Sequence, residues 1–393
     1  MLGILFWLCV LAVVYVYAGY PALVFLFSKM FNQAVNTGDV SPLVTLIFAA
    51  HNEEKVIEKK LENTLALEYP REQLQILVVN DGSMDRTAEI VRRYQNKGVE
   101  LVDFPQRRGK LTALRDAQTK CRGEIILFSD ADNFYPPNAV SETVKYFYDE
   151  RVGAVSGGRD VIGEGALGSA EGLYWRYEEF IKRHESNFGS CTGVAGDLLA
   201  VRRRLYVPPP PNVINDDFFT ALNVLRQGYR VVYSPTARSS HPVANTEHEE
   251  MERRARMVAG RYQAMFVFWR HLPWKYPVAF WQVISHKYMR PLVPLFMIAA
   301  LIFTILSVVF PQSSEAFAFA WLFLYQPFNY VFLVLQMLFY SLAWFGRSFK
   351  SRGFVGKLIY IPVFLVNSNL AALQGLFRYL TSRQSVMWKK VAR

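Results

Sequence analysis

Only three cysteines occur in the 393 residues, at Cys9, Cys121 and Cys191, too far apart to form a CxxC pair. That spacing excludes a disulfide framework and a zinc cluster, and it predicts a reducing compartment. No GxGxxG or Walker loop is present, which weakens dehydrogenase and P-loop readings. The six histidines are scattered without metal-ligand spacing. Charge is scarce, at 20% of residues, while apolar side chains reach 52% and aromatics 15%. With a mean hydropathy of +0.10, a disordered chain, a collagen-like repeat and a charged nucleic-acid tail are all excluded. Acidic residues are also short: 33 against 44 basic ones, a net charge of +11. Such an excess calls for a negative partner, with nucleic acid, anionic lipid and phosphorylated substrate as the candidates. The length exceeds one ordinary domain.

Long charge-free runs supply the next division. Leu2 to Phe27 carries no charge before Lys29, ample for a hydrocarbon core of about 30 Å. Without a basic segment ahead of it, and too long for a signal-peptide core, it is expected to be a retained anchor. Leu292 to Phe310 and Ala316 to Phe345 are two further spans, the latter containing Pro327. Leu358 to Phe377 is a weaker third, interrupted by Asn367, Ser368 and Asn369. Trp274 to Arg290 mixes Trp, Tyr and basic residues, as an interfacial helix does. The expected organisation is a transmembrane anchor over 1–31, a cytoplasmic domain over 32–271, an interfacial helix over 272–290 and a membrane region with a basic tail over 291–393. Lys29 places the middle domain in the cytoplasm of a multi-pass cell-membrane protein, and Arg347, Lys350, Arg352 and Lys357 agree. The tail residues Arg378, Arg383, Lys389, Lys390 and Arg393 conflict with a full third crossing. Either Leu358 to Phe377 is interfacial or re-entrant, or the Pro327 run is a hairpin.

Between the spans, strand and helix patterns alternate. Strands are expected at Val44–Ala49, Ile76–Val79, Val99–Phe104 and Glu124–Ser129. Helices are expected at Glu53–Leu67, at Arg86–Gln95 behind an Asp85 cap, and at Lys110–Lys120. This alternation predicts an α/β fold with a mixed, mostly parallel sheet covered on both faces, plus transmembrane helices. Ligands of such sheets bind beyond the carboxyl ends of the strands, where connections diverge. The polar clusters fall there.

Asp130 and Asp132 flank one small residue at a strand end. Carboxylates at that spacing bind a hard divalent cation together with a diphosphate, although Asp-x-Asp is also common in turns. Asp81, in Asn-Asp-Gly-Ser, is either an ordinary turn residue or an acceptor for a base N–H, with Gly82 allowing close approach. Lys110, after Arg107-Arg108-Gly109, pairs with phosphate or merely begins a helix. Asp216 and Asp217 precede a helix expected over Phe218–Gln227. They either complement its dipole or supply a general base.

Taken in order, these segments resemble family 2 glycosyltransferases of the GT-A fold, over roughly Val44 to Gln263. Ala50-His51-Asn52-Glu53-Glu54 is similar to that family's first nucleotide-contact segment. Asn80-Asp81-Gly82-Ser83, with Asp85 and Thr87, resembles its Asp-Gly-Ser-x-Asp-x-Thr motif. Gly109-Lys110 with Ala113-Leu114 resembles its Gly-Lys-x-x-Ala-Leu segment, and Asp130-Ala131-Asp132 its metal-binding Asp-x-Asp. Gly193 to Arg202, including Asp197, is similar to its acceptor-side stretch. Asp216-Asp217 stands where the family has an acidic pair, with Gly228-Tyr229 at the usual interval. Processive members such as cellulose, chitin and hyaluronan synthases carry Gln-x-x-Arg-Trp next. Here the stretch reads Arg253-Arg254-Ala255-Arg256-Met257, which keeps the arginine alone and puts processivity in doubt.

The resemblance implies an inverting, metal-dependent transferase. Ala50, Asn52, Glu53, Asp81, Gly82, Ser83, Lys110 and Asp130 would hold a nucleotide-sugar, a UDP-sugar by this reading, with Mg²⁺ or Mn²⁺ on Asp130 and Asp132. Asp217 would be the base, with Asp216 as fallback, and Gly193, Asp197, Arg253 and Arg256 would contact acceptor or diphosphate. The implied partners are a saccharide or lipid-linked acceptor, membrane lipid and other polysaccharide-synthesis subunits. Nucleic acid is set aside, because the basic residues gather beside the spans. Alternatives are a polyprenyl-phosphate sugar transferase and a non-catalytic component of a polysaccharide export system.

Overall fold

The computed structural model describes residues 1–162, 166–242, 247–312, 319–346 and 354–381. Two compact units emerge, one mainly of Leu23–Glu250 and Gln263–Ile284, the other of Met1–Ala22, Met251–Tyr262 and Ser285–Gln384.

The first unit is built on seven strands: β1 (Val44–Ala50), β2 (Leu74–Asp81), β3 (Val99–Phe104), β4 (Ile125–Phe128), β5 (Val152–Ile162), β6 (Leu199–Arg202) and β7 (Arg230–Pro242). Their order is β3-β2-β1-β4-β6-β5-β7. β3, β2, β1 and β4 are parallel, β6 runs antiparallel to both β4 and β5, and β7 pairs parallel with β5. Alternation along each strand feeds two cores. Leu46, Phe48, Ile76 and Val78 face Ile57 and Leu61 of the helix Ile57–Leu65. Ile47, Leu77 and Val79 face Ala113, Leu114 and Ala117 of the helix Lys110–Ala117. From β1 the chain proceeds outward to β2 and β3, and then returns to place β4 on the other side. The crevice beyond the carboxyl ends of β1 and β4 is therefore the switch point of the sheet.

The four expected strands are present, with ends shifted by up to two residues. Asp85 sits one residue outside its expected place: Arg86 is the cap of the helix Thr87–Arg93, while Asp85 Oδ1 accepts from the Thr87 backbone N–H at 3.0 Å. The sequence reading missed β5, β6 and β7 altogether.

In the second unit, Phe6 and Cys9 pack with Ala300 and Leu324. Polar pairs join its helices: Asn329 Nδ2 donates to the Ser307 carbonyl at 2.9 Å, and Gln336 Nε2 to Thr304 Oγ1 at 3.0 Å. Side-chain hydrogen bonds of this kind fix the rotation of neighbouring apolar helices. Three helices among the described residues are long and apolar enough to cross a membrane: Leu2–Met30, Pro277–Val309 and Phe328–Phe345. No break separates the segment expected to be interfacial from the span after it. Pro277–Val283 continues through a π-helical turn, Ile284–Tyr288, into Met289–Val309. The Ala316–Phe345 run is not one helix. It stops at Phe323, and a new helix starts at Phe328 behind Pro327, whose missing N–H suits a helix start. The helix Phe354–Leu380 contains Pro362 and covers the weaker run. Arg347, Lys350, Arg352, Arg383, Lys389, Lys390 and Arg393 lie outside the described residues.

Candidate active site

The loops after β1 and β2 are tied together by side chains of the motif residues. Asn52 has a left-handed φ of 54°, and its backbone N–H donates to Ser83 Oγ at 2.9 Å. Its own Oδ1 accepts from the Met84 N–H at 2.8 Å. The Glu53 N–H donates to Thr87 Oγ1 at 2.7 Å, and His51 Nδ1 lies 2.7 Å from the Asp81 carbonyl. Ala50 is buried at the end of β1.

Asp81 has a different immediate task from the one expected of it. Only 2% exposed, its carboxylate accepts the backbone N–H of Arg108 at 2.6 Å and that of Gly109 at 2.9 Å. It holds the loop that leads into the Lys110 helix. Gly82 belongs to the same construction. Its φ is +63°, and a Cβ there would lie 2.4 Å from the Arg107 nitrogen, so the close approach it permits is to this loop.

Lys110 in turn forms an ion pair with Asp130, two residues beyond the end of β4. Burial works to raise the Asp130 pKa, but Lys110 and, farther off, Arg159 outweigh it, and the carboxyl is held below its ordinary value. The pairing expected between Lys110 and a phosphate is thus directed at a carboxylate in this state. Asp132 is half-buried. Two carboxylates on one turn are hard oxygen donors suited to Mg²⁺ or Mn²⁺. Among the described residues no three His, Cys, Asp or Glu side chains converge, so further ligands would come from diphosphate and water.

Asp197 was expected to meet acceptor or diphosphate, and its position argues otherwise. It is 1% exposed, with its carboxylate clamped by Arg159 at 2.8 and 3.0 Å and by Ser239 Oγ at 2.8 Å. Its carbonyl accepts from Asn133 Nδ2 at 2.6 Å and from the Tyr135 hydroxyl at 2.5 Å. Burial opposes the Arg159 charge, yet Asp197, Asp130 and Asp217 together raise its pKa above the usual arginine value. One partly buried guanidinium therefore lies within the field of both acidic clusters. Gly193 is buried, and its carbonyl accepts from the Cys191 thiol at 3.3 Å.

Asp216 and Asp217 do not precede their helix; they are its first two residues, with Asn215 as cap. The site complements the helix dipole, and Asp217 Oδ1 also accepts the Phe218 N–H at 2.7 Å. That does not exhaust the pair. A small cavity lies between Asp216, Asp217 and Gly196 on one side and Leu111, Phe128 and Tyr206 on the other. Gly196 matters here, because a Cβ on it would come 3.3 Å from the Asp217 Cβ. A larger groove of about 680 Å³ opens beside Asn80, Ser83 and Phe104, away from both acidic pairs, with the ion pairs Arg92–Asp103 and Arg86–Glu54 along it. Arg253 and Arg256 stand on the helix Glu247–Val267, in the stretch that belongs to the other unit.

Sequence reasoning missed Lys60, Asn133, Arg159 and Ser239. Lys60 alone left a signal: it occupies the apolar stripe of its helix, beside Ile57, Leu61 and Thr64. It is fully buried, which pushes its ammonium down to about 7 against the opposing pull of Asp130, Asp132 and Asp197.

Residues 45–206 match the family model described as glycosyl transferase family 2. Among curated proteins the chain is 27% identical over 229 residues to a poly-β-1,6-N-acetyl-D-glucosamine synthase of Staphylococcus aureus, covering 56% of this chain and 55% of that one. The namesake of Staphylococcus epidermidis is 25% identical over 234 residues, covering 58% and 56%. The chain thus spans about half the length of the curated relatives it matches. Among solved structures, a mannosyltransferase of Pyrobaculum calidifontis, in complex with GDP-Man and Mn²⁺, superposes with a TM-score of 0.66 at 22% identity, covering 98% of this chain and all of that one. The sheet order, the motif loops at its switch point and the match over residues 45–206 agree: the fold is of the GT-A type, and residues 45–206 are similar to family 2 glycosyltransferases.

Proposed function

We propose that the protein is an inverting glycosyltransferase that moves a sugar from a nucleotide-sugar, a UDP-sugar by preference, to a saccharide or lipid-linked acceptor beside the cell membrane, in surface polysaccharide synthesis. The observation that supports it best is two acidic sites at the switch point of the sheet, Asp130 paired with Lys110 and Asp217 lining a small cavity, with the partly buried Arg159 influenced by both. Such an arrangement suits a reaction with an anionic leaving group on one side and a proton acceptor on the other. Asp130 and Asp132 would hold a divalent cation, which when bound neutralises the diphosphate as it departs. Lys110 is placed to exchange its bond to Asp130 for one to a phosphate oxygen. Asp217 takes the proton of the acceptor hydroxyl. That oxygen bonds to the anomeric carbon as the bond from carbon to diphosphate oxygen breaks, and configuration inverts in a single displacement. The three apolar helices fit a membrane-anchored enzyme, with the catalytic domain on the cytoplasmic side by the basic residue Lys29.

The curated relatives are N-acetylglucosamine polymer synthases, so an N-acetylglucosaminyl donor is the first to try. Purified protein in Mn²⁺ should transfer sugar from one member of a nucleotide-sugar panel. Asp217→Asn should reduce that transfer by about 10²- to 10⁴-fold, the usual contribution of a positioned base, with nucleotide affinity nearly unchanged. Asp216→Asn should be milder. The opposite ranking moves the base by one residue. If neither substitution alters turnover, the pair serves only the helix and the mechanism is wrong.

A further inference from the structure

A fully buried ammonium is costly, and an apolar side chain of the same length would pack the helix Ile57–Leu65 without that penalty. The surroundings of Lys60 show what the charge does. Its three N–H donors meet three acceptors: Ser129 Oγ at 2.8 Å, the Asn133 carbonyl at 2.7 Å and Asn133 Oδ1 at 2.8 Å. The rings of Tyr135 and Phe48 lie 4.3 and 5.5 Å from the ammonium nitrogen. Ser129 and Asn133 are the residues that bracket Asp130-Ala131-Asp132. Their hydroxyl and amide are joined to each other at 2.9 Å, and Asn133 Oδ1 also receives the Asp130 N–H at 3.3 Å. Asn133 then reaches the Asp197 carbonyl, and the Asp197 carboxylate holds Arg159.

We propose that Lys60 is a positioning residue of the donor site: through Ser129 and Asn133 its ammonium clamps both ends of the Asp130–Asp132 turn, fixing the two carboxylates for a divalent cation and diphosphate. This rests on the reading of Asp130 and Asp132 as the donor-site acids. Lys60 touches neither substrate nor the reacting atoms. It acts through the turn, bonding Ser129 and Asn133, whereas Lys110 pairs with the Asp130 carboxylate itself, so the two lysines have separate duties.

The test is Mn²⁺ uptake by the full-length protein in the presence of UDP, with GDP as a second probe, followed by electron paramagnetic resonance without any turnover. Lys60→Met keeps the stem against Phe48 and Tyr135 and removes the clamp. Its Mn²⁺ affinity with nucleotide should fall at least tenfold, in protein whose thermal midpoint is measured alongside. Ser129→Ala leaves the ammonium two acceptors, and should lose a few-fold in affinity even if Lys60→Met does not fold. The double variant should be no worse than Lys60→Met alone, since both changes cut one network. Additive losses, or Mn²⁺ affinity in the variants equal to wild type while the midpoint drops, would overturn the proposal and leave Lys60 a packing residue. Wild-type protein that takes up no Mn²⁺ with either nucleotide would instead sink the donor-site reading itself, and this proposal with it.

Discussion

Asp81→Asn separates two tasks that one carboxylate is able to perform. In the folded chain both of its oxygens accept backbone N–H groups, from Arg108 and Gly109, at a site 2% exposed. Asparagine keeps one acceptor and turns the other into an NH₂ group that faces an N–H. A hydrogen bond to a charged acceptor contributes about 1.5–3 kcal/mol, and a buried donor without a partner costs about 1–3 kcal/mol. The two contributions overlap, because the lost bond and the unpaired N–H belong to the same contact, so the loop 106–109 should lose about 2–4 kcal/mol of local protection. At a factor of ten per 1.4 kcal/mol, its amides should exchange with deuterium about 30- to 700-fold faster in protein free of nucleotide. Peptide-level exchange mass spectrometry over residues 104–114 reads this directly. Lys110 follows the released loop, so nucleotide binding should weaken as a consequence. If binding weakens while exchange in the nucleotide-free protein stays as in wild type, Asp81 acts on the ligand and the loop-holding argument fails.

Three further outcomes are expected. Excess EDTA should abolish sugar transfer and added Mn²⁺ or Mg²⁺ should restore it, whereas undiminished activity in EDTA removes the metal from Asp130 and Asp132. A cysteine introduced near Asn96 should need a membrane-permeant reagent for labelling in intact cells, and labelling by an impermeant one reverses the topology. Asp149 is held down to about 2, chiefly by hydrogen bonds from the Arg151 guanidinium against the opposing effect of burial. Its folded pKa lies below the unfolded one, so its stabilisation is present above about pH 4 and is lost as pH falls through 2. Asp149→Asn should thus cost about 1–2 kcal/mol near pH 7, read as a lower thermal midpoint, and the gap to wild type should close between pH 4 and pH 2. A gap that does not change with pH would assign the loss to packing.

How far the sequence could be read depends on where burial and polarity coincide. β1 to β4 are short apolar runs that end in acids and amides, so their positions and the loops beyond them were legible. β5 carries Gly157-Gly158 at a register shift, and β7 contains Pro235 and a polar second half, Arg238-Ser239-Ser240. Neither has the uninterrupted apolar run by which a buried strand is recognised. The half-buried acids of the site, Asp130, Asp132, Asp216 and Asp217, are legible because they stand at the ends of elements. Asp197 was assigned to the cleft for its place in a motif, but a motif does not reveal which way a side chain turns, and it turns inward to Arg159. Asn133, Arg159 and Ser239 gave no local pattern, since partners 38 to 64 positions apart meet only after the sheet is assembled.

The antiparallel strand in the middle of the sheet has a consequence for how the chain is made. β4 receives its outer neighbour, β6, only about 70 residues after it has itself been synthesised. At roughly 5–20 residues per second, the backbone of Ile125-Ile126-Leu127-Phe128 would wait ~4–14 s with one side of its ladder open. During that interval the nascent protein exposes a short, wholly apolar edge, the kind of surface that recruits strands from other chains. The donor half can close early, but it stays adhesive until Leu199–Arg202 arrives. Nascent chains stalled before residue 199 are therefore expected to associate with one another or with a chaperone, and those stalled well beyond residue 202 to be released from it.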